Sequence, residues 1–113
     1  MTRVLFICGK NRWRSPTAEH LFAKQHQLEC ASAGVNHDAD TPVTPELLDW
    51  AEQIFVMEKQ HKAKLAAKFA DSLKGKQVIS LDIPDRYRFM DPALVALLKR
   101  KLERYLPSNA HNH

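Results

Sequence analysis

A cysteine, a lysine and two arginines stand close together near the start of the chain, in the stretch CGKNRWRSP that begins at Cys8. Cys8 and Arg14 are separated by five residues. A thiolate can act as a nucleophile, and the planar fork of an arginine matches two oxygens of a phosphate. The residue types and their spacing therefore indicate a nucleophile beside a site for an anion such as phosphate.

The segments on either side of this stretch would shape it into an anion site. RVLFIC before it is an apolar, β-branched run typical of a buried strand, and SPTAEHLF after it has helical spacing, with Ser15 as predicted N-cap and Pro16 as first helical residue. A loop that ends at a helix N-terminus points backbone N–H groups inward, and the helix dipole adds to their attraction for an anion. The same field favours the thiolate of Cys8, to which Ser15 can donate a hydrogen bond, while Asn11 can hold the loop through neighbouring backbone.

Apolar segments and helical patterns alternate along the rest of the chain. The predicted strands are RVLFIC, LECASAGV, QIFVM and KQVISLDI, and the later predicted helices are PELLDWAE, EKQHKAKLAAKFADSL and PALVALLKRKLERYL. This alternation predicts an α/β fold with a parallel sheet and right-handed crossovers. Because ligands bind beyond the carboxyl ends of such strands, we expect the loop that contains Asp85 to meet the loop of Cys8.

Length and composition indicate one domain over residues 1–113 that ends in a polar tail, 107–113. No apolar run is long enough for a membrane span or a signal peptide, and two cysteines make no disulfide framework, so a cytoplasmic protein is expected. Cys30 is expected to be a packed strand thiol.

No metal is expected, because the six histidines form no HExxH motif and the chain contains no CxxC motif. The net charge of +4 is attributed to solvated lysine-rich helix faces, and nucleic acid is not favoured as a partner.

Four segments, in chain order, resemble the low-molecular-weight protein tyrosine phosphatase family. ICGKNRWRSP resembles V-C-x-G-N-x-C-R-S-P, ASAGV resembles S-A-G, AEQIFVMEKQH resembles A-D-L-I-x-V-M, and DIPDRY resembles the D-P-Y acid loop. The resemblance implies a four-stranded parallel sheet flanked by helices on both faces, in the flavodoxin-like, three-layer phosphatase fold. It also implies a cysteinyl-phosphate mechanism that needs neither metal nor other cofactor.

The resemblance assigns catalysis to Cys8 as nucleophile, Arg14 as phosphate clamp and Asp85 as general acid. Asp85 follows IP directly after the fourth predicted strand, as the family's acid does. It would protonate the leaving oxygen and then deprotonate the water that hydrolyses the phosphocysteine. Asp91 is the rival acid, although its place before Pro92 favours a helix N-cap.

Phosphate and substrate binding are predicted for the loop and for one aromatic residue after the acid. These residues are Gly9, Lys10, Asn11, Arg12, Trp13, Arg14, Ser15 and Tyr87. Lys10 and Arg12 are either solvated charges or a rim that selects acidic or multiply phosphorylated substrates. Trp13 is expected to pack beneath the loop. Tyr87 and Phe89 either wall an aromatic pocket or anchor their loop.

The chain departs from the family's pattern at several points. The segment between Gly34 and Trp50 is short, Lys10 stands at the loop's usual glycine, and the acid loop reads D-R-Y. Trp13 replaces the second loop cysteine, so no disulfide can form within the loop. These departures indicate a compact branch of the family whose substrate need not be phosphotyrosine.

The favoured function is a phosphomonoesterase that acts on phosphotyrosine proteins or another aryl phosphate. Inorganic phosphate or sulfate is the expected ligand of its site. One alternative is arsenate reduction with an external thiol, since no cysteine follows Cys30 to form a thiol relay. The other is a non-catalytic module that binds phosphate or nucleic acid. The joint presence of Cys8, Arg14, Ser15 and Asp85 favours an enzyme, because binding alone needs neither a nucleophile nor an acid.

Overall fold

The computed structural model describes residues 2–25 and 27–106, so the predicted tail 107–113 lies outside the described residues. The strands are β1 (Thr2–Cys8), β2 (Leu28–Gly34), β3 (Gln53–Val56) and β4 (Val78–Ser80), and the helices are α1 (Arg14–Phe22), α2 (Pro45–Trp50), α3 (Lys59–Lys68) and α4 (Pro92–Leu102), with a 3₁₀ turn at Asp71–Leu73. All strand pairs are parallel, in the order β2-β1-β3-β4. The predicted four-stranded parallel sheet is therefore confirmed.

Two hydrophobic cores lie on opposite faces of the sheet. Successive side chains of β1 point to opposite faces, so Val4 and Phe6 enter one core while Leu5 and Ile7 enter the other. Helices α1 and α4 cover the first face, and α2 and α3 cover the second. This arrangement makes the predicted three layers, and it explains why β1 reads as a continuous apolar run rather than an alternating one.

The order of the strands fixes where a ligand can bind. β2 and β3 lie on either side of β1, so the chain changes direction across the sheet between β1 and β3, and ligands of α/β proteins bind at such switch points. Cys8 is the last residue of β1, and Glu58 follows β3 by two residues. The Met57 N–H donates to the Ile7 carbonyl at 2.9 Å, which keeps the two chain segments side by side beyond the end of β3.

Several predicted boundaries differ from the structure, and α2 and α4 both end before the predicted segments do. Helix α1 begins at Arg14, so Ser15 is a helical residue and not the N-cap. Helix α3 ends at Lys68, before the predicted end at Leu73, because the backbone of Phe69 leaves the helical region. β4 is only three residues long, although Leu81 and Ile83 still donate backbone hydrogen bonds to β3 and the residue after it.

Asp91 has the structural role predicted for it, and Asp82 lies at a change in backbone direction. Asp82 has φ +54°, a left-handed conformation that interrupts the β ladder after β4. The Asp91 carboxylate accepts a hydrogen bond from the Ala93 N–H at 2.9 Å and so caps α4, with Pro92 in its first turn. Capping therefore accounts for Asp91 without any catalytic role.

Cys30 is a packed strand thiol, as predicted. It lies on β2, half-buried against the core under α1 and α4. Burial, followed by the nearby charge of Glu19, raises the pKa of Cys30 to about 11, so its thiol stays protonated at neutral pH. No helix within residues 2–25 and 27–106 is long and apolar enough to cross a membrane.

Candidate active site

The Cys8 thiol is buried beneath the loop between β1 and α1, where two hydrogen-bond donors can reach it. The backbone N–H of Asn11 donates to Cys8 Sγ at 3.2 Å, and Ser15 Oγ lies 3.0 Å from the same sulfur. Asn11 Nδ2 donates to Ser15 Oγ at 2.9 Å, so the hydroxyl hydrogen of Ser15 can point at the sulfur or at the Ala33 carbonyl oxygen, which lies 3.4 Å from Oγ. The Asn11 N–H and the Ser15 hydroxyl are therefore the groups that can hydrogen-bond to the sulfur when it acts as a nucleophile.

The loop takes a backbone path that few residues accept. Asn11 has φ +58°, in the left-handed region that asparagine tolerates better than most side chains. A Cβ on Gly34 would lie 2.6 Å from the Gly9 carbonyl oxygen and 3.0 Å from the Asn11 nitrogen, so only glycine allows β2 to approach the loop this closely. Asn11 and Gly34 together let the chain turn tightly around the sulfur.

The outer side of the loop is fastened to the segment that follows β2. The carbonyls of Cys8, Gly9 and Lys10 accept hydrogen bonds from backbone N–H groups within 35–40. Within the part of the chain that the structure describes, no acceptor is hydrogen-bonded to the N–H groups of Gly9, Lys10, Arg12 and Trp13. The carbonyl groups are satisfied and these N–H groups are not, which suits a loop that binds an anion.

A cavity of about 430 Å³ opens over these N–H groups. It lies beyond the carboxyl ends of β1 and β3, as predicted from the topology. The loop residues on its wall are Cys8, Gly9, Lys10, Arg12, Trp13 and Arg14, and the other lining residues are Asn36, Glu58, Gln60, His61, Lys64 and Asp85. Asn11 and Ser15 are buried beneath the loop, so the structure places them as supports of the sulfur rather than in the cavity.

Arg14 is almost fully buried, and its guanidinium joins three loops. Its Nη1 donates to Glu58 Oε2 at 2.5 Å and to the Ile83 carbonyl at 2.8 Å. Its Nε lies 3.7 Å from Asp85 Oδ1. Because Nη1 is occupied, the edge formed by Nε and Nη2 is the part of the guanidinium that can hold two oxygens of an anion.

Glu58 binds Arg14 and is itself hydrogen-bonded to His61, and neither residue was predicted from the sequence to have a role. The Glu58 N–H donates to His61 Nδ1 at 3.1 Å, so the hydrogen of the neutral imidazole resides on Nε2. Burial and then the Arg14 charge lower the pKa of His61 to about 4. Burial raises the pKa of Glu58, but the hydrogen bond and charge of Arg14 outweigh that effect and lower it overall. Glu58 is therefore an anion and His61 is neutral at neutral pH.

The two candidate acids differ in position. The Asp85 side chain is 61% exposed and lines the cavity beside the Arg14 guanidinium. Asp91 caps α4 and does not line that cavity. Of the two, Asp85 alone has a place from which it could reach a bound substrate.

Lys10 and Arg12 stand on the rim, and each is paired with an aspartate from the segment after β2. Lys10 Nζ lies 2.6 Å from Asp38 Oδ2, and Arg12 Nε lies 3.4 Å from Asp40 Oδ1. The Lys10 ammonium lowers the pKa of Asp38, mainly through this hydrogen bond. All four side chains are about half exposed, so these pairs set the electrostatics of the rim more than they stabilise the fold.

Of the aromatic residues near the site, Trp13 lies elsewhere than predicted, and Tyr87 is not among the residues that line the cavity. Trp13 is 42% exposed and walls the cavity instead of packing beneath the loop, because Asn11 and Ser15 fill the space under it. Tyr87 is half-buried against the core and does not line the cavity. Phe89 is also absent from the cavity wall; it is 49% exposed, with its ring 6.0 Å from that of His20.

The chain matches a known protein family over most of its length. A profile of the low molecular weight phosphotyrosine protein phosphatase family matches residues 3–83. Among curated proteins, no sequence matches the chain significantly.

Three solved structures illustrate the shared fold. The tyrosine phosphatase Wzb from Escherichia coli K30 in complex with sulphate is 25% identical with a TM-score of 0.70, and the match covers 91% of this chain and 94% of that one. The YwlE arginine phosphatase from Geobacillus stearothermophilus is 22% identical with a TM-score of 0.72, covering 92% and 90%. The low molecular weight protein tyrosine phosphatase SP-PTP from Streptococcus pyogenes is 15% identical with a TM-score of 0.77, covering 100% and 99%.

The first prediction follows from the Arg14–Glu58 ion pair and concerns the free energy of unfolding. Glu58→Gln keeps the shape of the side chain but leaves the buried guanidinium without its closest anion, so we expect the free energy of unfolding to fall by roughly 2 kcal/mol. Urea denaturation of this variant, with the exposed Glu46→Gln as control, measures the change. A loss below about 0.5 kcal/mol, the usual range for exposed sites, would show that Arg14 does not depend on Glu58.

The second prediction follows from the buried His61 and concerns how the stability of the fold depends on pH. The folded protein keeps His61 neutral down to about pH 4, whereas the unfolded chain binds a proton near pH 6.5. Stability therefore falls as the pH drops between these values, by about 2 kcal/mol from pH 7 to pH 5. Arg14 and Lys64 oppose protonation of His61, and Glu58 and Asp85 favour it.

The measurement compares urea denaturation at the two pH values for wild type and His61→Gln. The variant should lose most of the difference in unfolding free energy between pH 7 and pH 5. The exposed His20→Gln controls for removal of a histidine. An unchanged difference in His61→Gln would mean that another group carries the acid sensitivity.

Proposed function

The chain belongs to the low molecular weight phosphotyrosine protein phosphatase family, and we propose that it hydrolyses phosphomonoesters through a phosphocysteine formed on Cys8. The observation that carries this mechanism is the buried Cys8 sulfur, which the Asn11 N–H and the Ser15 hydroxyl can both reach. It lies under a loop in which four N–H groups have no hydrogen-bond acceptor among the described residues. Such a loop binds the phosphoryl oxygens and directs the phosphorus toward the thiolate.

The first half-reaction transfers the phosphoryl group to sulfur. The Cys8 thiolate attacks phosphorus, the P–S bond forms, and the ester P–O bond breaks. The Nε/Nη2 edge of Arg14 and the loop N–H groups hold the phosphoryl oxygens as their charge redistributes. Asp85, on the cavity wall, gives its proton to the departing oxygen, so the product leaves as a neutral alcohol or phenol.

The second half-reaction restores the thiolate. Asp85 is now ionised and takes a proton from a water molecule as the water oxygen attacks phosphorus. The P–S bond breaks, the electron pair returns to Cys8 Sγ, and inorganic phosphate is released. The donors from Asn11 and Ser15 stabilise the thiolate as the leaving group of this step.

The wall of the cavity favours an aryl phosphate, such as phosphotyrosine in a protein. Trp13 supplies an aromatic surface beside the loop, on which a phenol ring can stack. This aromatic surface favours the substrate type of the Wzb tyrosine phosphatase over that of the YwlE arginine phosphatase.

No observation favours arsenate reduction through an internal disulfide. Cys8 pairs with Gly34 across the sheet, whereas Cys30 pairs with Val4. Four residues of strand separate the two positions by about 13 Å, far beyond the reach of a disulfide. The mechanism needs Cys8 reduced, which suits a reducing compartment such as the cytoplasm.

Replacement of the nucleophile tests the mechanism. Cys8→Ser should lower hydrolysis of p-nitrophenyl phosphate by at least about a thousandfold, because a serine hydroxyl stays protonated and has no base beside it. Cys30→Ser, the control, removes the other thiol and should keep the wild-type rate. If Cys8→Ser retained most of the rate, the covalent mechanism would be wrong.

Dependence on the leaving group tests the acid. Asp85→Asn should slow hydrolysis of phenyl phosphate by about 100- to 10,000-fold, but that of p-nitrophenyl phosphate much less, because nitrophenolate leaves without a proton. Asp91→Asn is the matched control, since asparagine can still cap α4. The assignment would have to be exchanged if the leaving-group effect appeared in Asp91→Asn and not in Asp85→Asn.

A further inference from the structure

A group of exposed aromatic and cationic side chains begins at the mouth of the cavity and continues along the loop before α4. Trp13 walls the cavity and is exposed. The Arg88 guanidinium carbon lies 5.8 Å from the centre of the Trp13 ring, and that of Arg86 lies 5.7 Å from the centre of the Tyr87 ring. We call Trp13, Arg86 and Arg88 the cationic strip.

The charges of the strip differ from those of Lys10, Arg12 and Arg14 at the cavity. Lys10 and Arg12 are each paired with an aspartate, and Arg14 is paired with Glu58. Lys64 also lines the cavity, and its ammonium donates to Asn36 Oδ1 at 3.1 Å. Arg86 and Arg88 are both exposed, and neither pairs with any carboxylate in residues 2–25 and 27–106. The strip is therefore a place of uncompensated positive charge directly beside the mouth.

We propose that the cationic strip binds an acidic segment of the substrate protein, next to the phosphorylated residue held in the cavity. The proposal rests on the proposed function, since it places the phosphoryl group over Cys8. Charge complementarity carries it: two unpaired guanidinium groups match Asp and Glu side chains. The Trp13 ring belongs to both the cavity wall and the strip, so a chain leaving the cavity on that side meets Arg88 first.

The stacking of Arg88 on Trp13 gives the strip a defined geometry. A guanidinium that lies over a ring loses less conformational freedom when it meets a carboxylate than one on a free side chain. The site is exposed, so each charge pair should be screened by salt and contribute modestly. We therefore expect the strip to change KM for peptides rather than kcat.

The experiment uses three phosphotyrosine peptides of equal length, with acidic, neutral or basic residues around the phosphotyrosine, and p-nitrophenyl phosphate as a substrate without a flanking chain. The proteins are the wild type, the double variant Arg86→Ala/Arg88→Ala, and the control Arg100→Ala/Arg104→Ala. The control removes the same net charge from a separate cavity, next to Asp82 and Tyr105.

The wild type should hydrolyse the acidic peptide with a kcat/KM about tenfold above that of the neutral peptide. The strip variant should lose this preference through a higher KM, while its rate on p-nitrophenyl phosphate stays unchanged and the control keeps the preference. The preference should also shrink at high salt. Equal kcat/KM values for the acidic and neutral peptides in the wild type, or an equal loss in the control, would overturn the proposal.

Binding of the same peptides to Cys8→Ser, followed by fluorescence anisotropy, tests the strip without turnover. If the wild type failed to hydrolyse p-nitrophenyl phosphate, the proposed function would fail, while tighter binding of the acidic peptide would still support the strip. Equal binding of the acidic and neutral peptides would overturn the strip alone. Tighter binding of a single-stranded DNA oligomer than of the acidic peptide would assign the strip to nucleic acid and also overturn the proposal.

Discussion

The buried guanidinium of Arg14 is the constraint on which the rest of the site depends. A buried charge without a partner is strongly destabilising, so the chain must bring Glu58 and the Ile83 carbonyl to Nη1. These partners follow β3 and β4, whereas Arg14 begins α1. Satisfying one side chain therefore fixes the carboxyl ends of three strands relative to each other. It also leaves the Nε/Nη2 edge of Arg14 without a hydrogen bond from the described residues, with Asp85 Oδ1 3.7 Å from Nε.

The loop around Cys8 obeys a second, purely steric constraint. Its carbonyls turn outward to the segment after β2, which requires the missing Cβ of Gly34 and the left-handed backbone of Asn11. With those groups satisfied, N–H groups remain available over the sulfur. The Cys8 sulfur is therefore buried, enclosed by the loop and hydrogen-bonded before any substrate is present.

The sequence predicted the features that depend on local pattern and missed those that depend on contact between strands. The apolar run before Cys8 and the helical spacing after Arg14 placed the loop correctly, and the alternation of segments predicted the sheet. Glu58 and His61 were missed because their importance comes from the adjacency of β1 and β3; their place after a strand at the switch point was the available signal. Trp13 was placed beneath the loop because nothing local shows that Asn11 and Ser15 fill that space.

The central claim is that a phosphoryl group resides transiently on the sulfur of Cys8. Rapid acid quench of the protein during turnover of p-nitrophenyl phosphate, followed by peptide mass spectrometry, tests it most directly. The mechanism predicts one added phosphoryl group, on the peptide that contains Cys8, which appears within the first turnover and disappears when substrate is exhausted. Turnover without any phosphorylated cysteine, or with the phosphoryl group on another residue, would contradict the account.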